Sequence, residues 1–236
     1  MDYPAELMSM QDQDLQMTVA DAARSQSEIW RRDMLIYDSS LKQIYTKIEI
    51  LNNEFVHSHR YNPIEHVSKR IKSADSITRK LKRMGYEPTI GNMEDQLHDI
   101  AGIRIICSFT SDIYRIAGML ARQDDVAVLK IKDYLKHPKE NGYKSYHMVV
   151  TVPVFLSTGT VDAKVEIQIR TIAMDFWASL EHKIYYKFEG NAPSHIYEDL
   201  KQCADIINQL DQRMLKLNEE VQKLKATAPS REEEEI

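Results

Sequence analysis

Residues 161–170 alternate without a break. Val161, Ala163, Val165, Ile167 and Ile169 are apolar, and Asp162, Lys164, Glu166, Gln168 and Arg170 between them are polar or charged. Successive side chains of a strand point to opposite faces, so such a run lies as a β-strand with one face in a core. A polar outer face is the ordinary fate of a half-covered strand. The same face also suits a site, with Glu166 and Gln168 side by side on its floor. The neighbouring sequence extends the pattern. Residues 101–107 form an apolar, β-branched run expected to be a buried strand, and 126–132 and 146–154 read as further strands. Ser157-Thr158-Gly159 joins the last of these to 161–170. Thr110 or Ser111 is the expected cap of a helix reaching about Arg122. Another helix is expected over 172–187.

Both ends of the chain have helical periodicity. Apolar residues recur three or four apart at Ile36 or Tyr37, Leu41, Ile44, Ile48, Leu51 and Phe55. After a break at Pro63 a second helical stretch is expected. Ala74, Ile77, Leu81 and Met84 are its core stripe, Lys72, Ser76 and Lys80 lie on the opposite face, and Gly85 stops it. A long amphipathic helix follows Ile196 through Leu200, Ala204, Ile207, Leu210, Met214, Leu217 and Val221, with a frayed acidic tail from Arg231. No repeat or linker divides the chain. The expected fold class is α/β (α+β), a mixed β-sheet flanked by helices. Residues 1–62 form a helical extension, 63–190 a core and 191–236 a helix with its tail, all in one structural domain.

Composition narrows the function. Of 236 residues 43% are apolar, enough to bury a core. The apolar runs are too short to span a membrane. The start is acidic (Asp2, Glu6, Asp12, Asp14), unlike a secretory leader. Two cysteines, Cys107 and Cys203, support neither a disulfide framework nor a cysteine zinc site. A soluble, reduced, cytoplasmic protein is the expectation. The net charge of −5 is uneven: residues 1–65 carry 6 basic and 11 acidic groups, 66–147 carry 15 and 10, and 148–236 carry 10 and 15. General nucleic-acid binding favours positive charge across a whole domain. A basic middle in an acidic chain suits a compact polyanion such as a nucleoside triphosphate, although a solvated helix face has the same charge count.

Several residues have the chemistry for such a ligand. Asp99 precedes the buried strand at 101–107, where a carboxylate either caps a turn or holds Mg²⁺ beside substrate phosphates. Gly102 allows close approach of a ligand or another backbone. The His98-Asp99 dipeptide also occurs in metal-dependent hydrolases, but those need further histidines, and His57 and His59 are poorly placed. Lys72, Ser76 and Lys80 offer phosphate donors or an ordinary surface. The loop from Lys130 to His147 is rich in donors and aromatics, and Tyr143 beyond the Asn141-Gly142 turn is able to stack on a base. Neither a Gly-x-x-x-x-Gly-Lys-Ser/Thr nor a Gly-x-Gly-x-x-Gly motif occurs, so phosphates must be held by cationic side chains and metal.

Four ordered pieces together resemble the stringent-response alarmone synthetases, in particular the single-domain small alarmone synthetases. They are Arg70-Ile-Lys72…Ser76…Lys80, Asp99-Ile-Ala-Gly-Ile-Arg104, Lys132-Asp133-Tyr134…Lys139-x-Asn141-Gly-Tyr143-x-Ser-x-His147, and Val165-Glu166-Ile-Gln168-Ile-Arg170-Thr…Trp177-Ala…Glu181-His182…Tyr186-Lys187. The resemblance spans about 63–190 and implies a nucleotidyltransferase-like synthetase fold. It implies transfer of the β,γ-diphosphate of ATP to the 3′-hydroxyl of GTP or GDP. Asp99 and Glu166 then correspond to the metal-binding and catalytic carboxylates for Mg²⁺, with Glu166 also the base. Arg70 and Arg104 would sandwich adenine, and Lys72, Ser76 and Lys80 would face the ATP phosphates. Tyr143 would stack on guanine beside Asn141. Lys130, Lys132, Lys139, His147 and Gln168 would serve the acceptor.

By the same resemblance a homotetramer is expected, with no hydrolase activity and no dependence on ribosomes. His66-Val67-Ser68-Lys69 stands where product-stimulated members carry Phe-x-Thr, so stimulation by product is not implied. The rival expectation from another class is a non-catalytic nucleotide- or RNA-binding regulator with this fold.

Overall fold

The computed structural model describes the backbone of residues 5–58, 61–187 and 193–227, and side chains within 27–58, 61–184 and 193–225. The side chains of Tyr186 and Lys187 and the tail from Arg231 lie outside the described residues. The elements run α1 (Ala5–Ser58), β1 (Ile64–Ile71), α2 (Ala74–Arg83), α3 (Ile90–Gln96), β2 (Ala101–Cys107), α4 (Thr110–Ala121), β3 (Ala127–Asp133), β4 (Tyr146–Leu156), β5 (Gly159–Thr171), α5 (Ile172–Lys187) and α6 (Ser194–Thr227). The five strands form one sheet in the order β1-β2-β5-β4-β3. Only β2 and β5 pair in parallel, and the other neighbours are antiparallel.

Alternation sorts the two faces. Ile103 and Ile105 of β2, Met148, Val150 and Val152 of β4, and Val165, Ile167 and Ile169 of β5 are buried together. Leu41, Ile44 and Ile48 of α1 and Ile113, Ile116 and Leu120 of α4 join the same cluster. Most of these side chains are fully removed from water, and each such burial is worth about 1.5–3 kcal/mol. The opposite face carries the charged residues. Ser157-Thr158 turns β4 into β5, pairing Leu156 with Gly159 at φ +132°.

The helical stretch expected after Pro63 begins as a strand. In β1 the inward residues Ile64, Val67 and Ile71 are three and four apart, which imitates a helix. A register irregularity between Ile64 and His66 causes this spacing by shifting the alternation. Lys69 shares the inward side, where its ammonium lies 3.8 Å from the Tyr45 ring centroid. The helix proper starts only after the Ser73 cap, whose side chain accepts from the Ser76 backbone N–H. Lys72 is therefore not on its face. Of the expected stripe, Ile77 and Leu81 are buried, whereas Ala74 and Met84 are exposed.

The helix at 110 is capped differently from the expectation. Phe109 is its N-cap, and the Asp112 carboxylate reaches back to accept from the Phe109 N–H at 3.1 Å. α6 packs through Leu200, Ala204 and Ile207 against Trp177, Ala178 and Tyr143. Beyond that point Leu210, Met214, Leu217 and Val221 are exposed.

Candidate active site

Strand register places the site residues in two rows across the polar face. One row reads Arg70, Gly102, Glu166, Val149, Lys130 from β1 to β3. The next reads Ser68, Arg104, Gln168, His147, Lys132. Neighbouring strands lie about 4.8 Å apart, so each row spreads its functional groups over nearly 20 Å, the scale of two nucleotides.

Asp99 stands in the turn before β2, above these rows. Lys72 bonds its Oδ2 and the Lys80 ammonium lies 2.8 Å from its Oδ1. Lys72 is held near by its own backbone N–H, which donates to the Ile100 carbonyl at 2.8 Å. Burial pushes the Asp99 carboxyl up, but its bonds to Lys72 and Lys80 outweigh this and hold it below its ordinary value. Glu166 behaves alike. Burial raises it, while His147 Nδ1 at 3.3 Å and a 2.9 Å hydrogen bond donated by Gln168 Nε2 bring it below the usual carboxylate range. The Asp99 charge acts in the opposite direction on Glu166, as expected for two carboxylates facing one space.

Two clefts meet at this pair. The first, of about 270 Å³, is lined by Ser68, Arg70, Gly102, Arg104 and Gln168 together with Asp99 and Glu166. Gly102 leaves its floor open between Arg70 and Glu166. Arg70 and Arg104 are diagonal cross-strand neighbours, a separation of about 7–8 Å. That matches a flat ring with contacts of about 3.5–4 Å on each side. The second cleft, of about 320 Å³, is lined by Lys80, His98, Lys130, Lys132, Val149 and His147, again with Asp99 and Glu166. The two carboxylates are thus the shared wall of a cleft with two arginines and a cleft with three lysines.

The pattern match and the overall shape decide the family. Residues 69–191 match the family model described as a region found in RelA / SpoT proteins. A Bacillus subtilis (strain 168) relative, the GTP pyrophosphokinase YwaC, is 46% identical over 208 residues, covering 88% of this chain and 99% of the relative. The chain belongs to the RelA/SpoT family.

Solved small alarmone synthetases share the fold. Small alarmone synthetase 2 from Bacillus subtilis superposes with a TM-score of 0.74 at 46% identity, over 81% of this chain and 98% of that one. Small alarmone synthetase 1 from the same organism, bound to its product pppGpp, gives 0.76 at 35% identity over 82% and 98%. Its AMPCPP-bound form gives 0.72 at 33% identity over 83% and 99%.

In this synthetase the residues singled out by sequence are gathered unevenly. Asp99, Glu166, Arg70 and Arg104 face the first cleft, and Lys80, Lys130, Lys132 and His147 face the second. Gln168, expected on the acceptor side, lies on the wall of the Arg70/Arg104 cleft. Ser76 lines neither cleft and accepts a hydrogen bond from the Ser73 hydroxyl at 2.9 Å. Lys139, Asn141 and Tyr143 line neither cleft; they lie on the loop between β3 and β4, from which the Tyr143 hydroxyl reaches His147 of the second cleft. The Lys139 ammonium is 4.6 Å from the Tyr143 ring centroid, and the Asn141 amide donates to Glu181 at 3.2 Å. Gly142, at φ +86°, closes that loop against α6.

Two residues not singled out by sequence join the site. Arg170 shares the alternating face of β5 with Glu166 and Gln168, so its signal was present. Asp175, in the first turn of α5, carries no mark that separates it from an ordinary helix-start carboxylate. Among the described residues no group of three or more His, Cys, Asp or Glu is arranged to hold a metal. The Asp99/Glu166 oxygen pair still fits a hard cation of the Mg²⁺ type, which takes one or two carboxylates and completes its shell with water and substrate phosphates.

Proposed function

We propose that this chain is a GTP diphosphokinase, transferring the β,γ-diphosphate of ATP to the 3′-hydroxyl of GTP or GDP to give pppGpp or ppGpp plus AMP. One observation carries the reading: Asp99 and Glu166 form the common wall of two differently lined clefts. Relatives named as GTP pyrophosphokinases, and structures holding pppGpp or AMPCPP, support it.

In the proposed arrangement ATP lies in the first cleft, its adenine between Arg70 and Arg104. Lys72 and Lys80 exchange their contact with Asp99 for contact with its phosphates, with Ser76 at the edge of that set. The acceptor lies in the second cleft. Lys130, Lys132 and Lys139 counter its phosphates, His147 borders its ribose, and Tyr143 and Asn141 take the guanine, while Gln168 holds Glu166 from the ATP side. Magnesium held by Asp99 and Glu166 would supply charge neutralisation for the polyphosphate. Glu166 accepts the proton of the 3′-hydroxyl, whose oxygen forms a bond to the β-phosphorus as the bond between that phosphorus and the α-phosphate oxygen breaks. Held below the usual carboxylate range, Glu166 is ionised at neutral pH, and its strand fixes its aim. The same proposal covers a cytoplasmic homotetramer, for which the exposed α6 stripe of Leu210, Met214, Leu217 and Val221 offers apolar surface. Among the described residues no helix is long and apolar enough to cross a membrane.

Glu166→Gln tests the assignment in one step. AMP release from ATP plus GDP should fall by about 10²–10⁴-fold with an unchanged circular dichroism spectrum. Full turnover in that variant would overturn the role given to Glu166.

A further inference from the structure

Arg104 of β2 and Arg170 of β5 converge on one atom. Arg104 Nη1 lies 3.3 Å, and Arg170 Nη1 3.1 Å, from Oδ1 of Asp175 on α5. A single carboxylate oxygen therefore serves two guanidinium groups. Arg170 is almost fully buried and commits its remaining donors to fixed partners. It bonds the Tyr143 hydroxyl at 2.6 Å, Gln168 Oε1 at 3.1 Å and Ser145 Oγ at 3.4 Å. The Tyr143 hydroxyl lies 2.8 Å from His147 Nε2, and His147 Nδ1 meets Glu166. Polar contacts thus run without a gap from Arg104 in the first cleft, through α5 and β5, to the acceptor loop and to Glu166.

We infer that Asp175 is a positioning residue that couples occupancy of the Arg70/Arg104 cleft to the placement of Tyr143 and His147 at the acceptor cleft. The inference rests on the assignment of the two clefts to ATP and the guanine nucleotide. Its physical basis is competition. Burial first, and then the charge of Arg170, pull the Arg104 guanidinium below its ordinary value, a sign of two cations crowded at one carboxylate. A purine stacked on Arg104 turns that guanidinium toward the ring and loosens its hold on Oδ1. The carboxylate then belongs to Arg170 alone, and the fork of Arg170 tightens on the Tyr143 hydroxyl. Because Arg170 is sealed from water, its displacement passes to Tyr143 and is not absorbed by solvent. Such a coupling is reciprocal, so the acceptor must sharpen binding of the adenine nucleotide by the same factor.

The experiment measures the Kd of GDP by calorimetry with and without saturating AMPCPP, whose methylene bridge prevents transfer. The full chain, Asp175→Asn and Tyr143→Phe are compared. Tyr143→Phe keeps the ring and removes only the bridging hydroxyl, so it carries the test should Asp175→Asn fail to fold. The factor by which AMPCPP favours GDP binding should be at least about fivefold larger in the wild type than in either variant, and the converse titration should give the same factor. Wild type and variants with equal factors, each still binding both nucleotides, would overturn the inference alone. Mutually exclusive binding of AMPCPP and GDP to the wild type would overturn the two-cleft reading, and the inference with it.

Discussion

Gly142 gives the sharpest test of how the acceptor loop is held. A Cβ built on it would lie 2.5 Å from the Cβ of Ala204, while ordinary contact begins near 3.4 Å. The loop must therefore retreat from α6 by roughly 0.9 Å in Gly142→Ala, the difference of those two distances, because Ala204 is a rigid stub on a helix. Overpacking of this kind costs about 1–3 kcal/mol. The backbone adds a second cost, since Gly142 sits at φ +86° and a non-glycine residue there loses about 1–2 kcal/mol. A misplacement near 1 Å lowers a positioned reaction by about 100-fold. The expected result in steady-state assays of AMP formation is an acceptor KM raised about 10- to 100-fold, with the ATP KM within about twofold of wild type. The double variant Gly142→Ala/Ala204→Gly removes the clash and keeps the backbone strain. It should recover about 1–2 kcal/mol, or about 5- to 30-fold in acceptor KM. An unchanged GDP KM in Gly142→Ala would refute the placement of this loop on the acceptor, and no recovery in the double variant would refute the α6 contact as its anchor.

Two further perturbations probe buried charge. Asp33 is 8% exposed, and its Oδ2 has no hydrogen-bond partner among the described residues. Burial raises its carboxyl above the ordinary value, so the folded state holds its proton at a higher pH than the unfolded chain and stability falls as pH rises through that interval. Asp33→Asn should raise Tm by about 2–4 °C at neutral pH, for about 1 kcal/mol, with the gain vanishing below pH 3.8; equal gains at both pH values would refute the argument. Lys72→Met takes one of two lysines from the largely buried Asp99 carboxylate, Lys80 remaining, and should lower stability by about 1–3 kcal/mol in urea titrations at neutral pH. Because the Asp99 pKa is depressed, that loss is full above pH 3.8 and fades as pH falls through the folded value; a loss independent of pH would show that the pair is not its source.

The parts of the fold legible from sequence were those where one physical signal acted alone. Alternation over 161–170 sorted β5 correctly, and with it the side from which Glu166 and Gln168 project. β1 was hidden because its bulge put Ile64, Val67 and Ile71 at helical spacing and because Lys69 spends its stem on the inward side. The short α3, held by the Thr89 cap, leaves too few turns for a periodic pattern. Asp99 was legible as a carboxylate at a strand edge, but its two lysine partners come from either side of the Ser73 cap, which no single helix face predicts. Asp175 was invisible for a different reason: its role depends on two arginines brought from β2 and β5 by parallel pairing, a contact with no local trace.

The order of the strands has a consequence for how such a catalyst can change over time. Glu166, and the turn bearing Asp99, belong to the interior ribbons β5 and β2, each braced by neighbours on both sides. Arg70 rides on one outermost ribbon, and Lys130 and Lys132 on the other. Mutations at these rims can retune which base or phosphate is favoured while the acidic centre keeps its geometry, so specificity is free to drift around an unmoving heart.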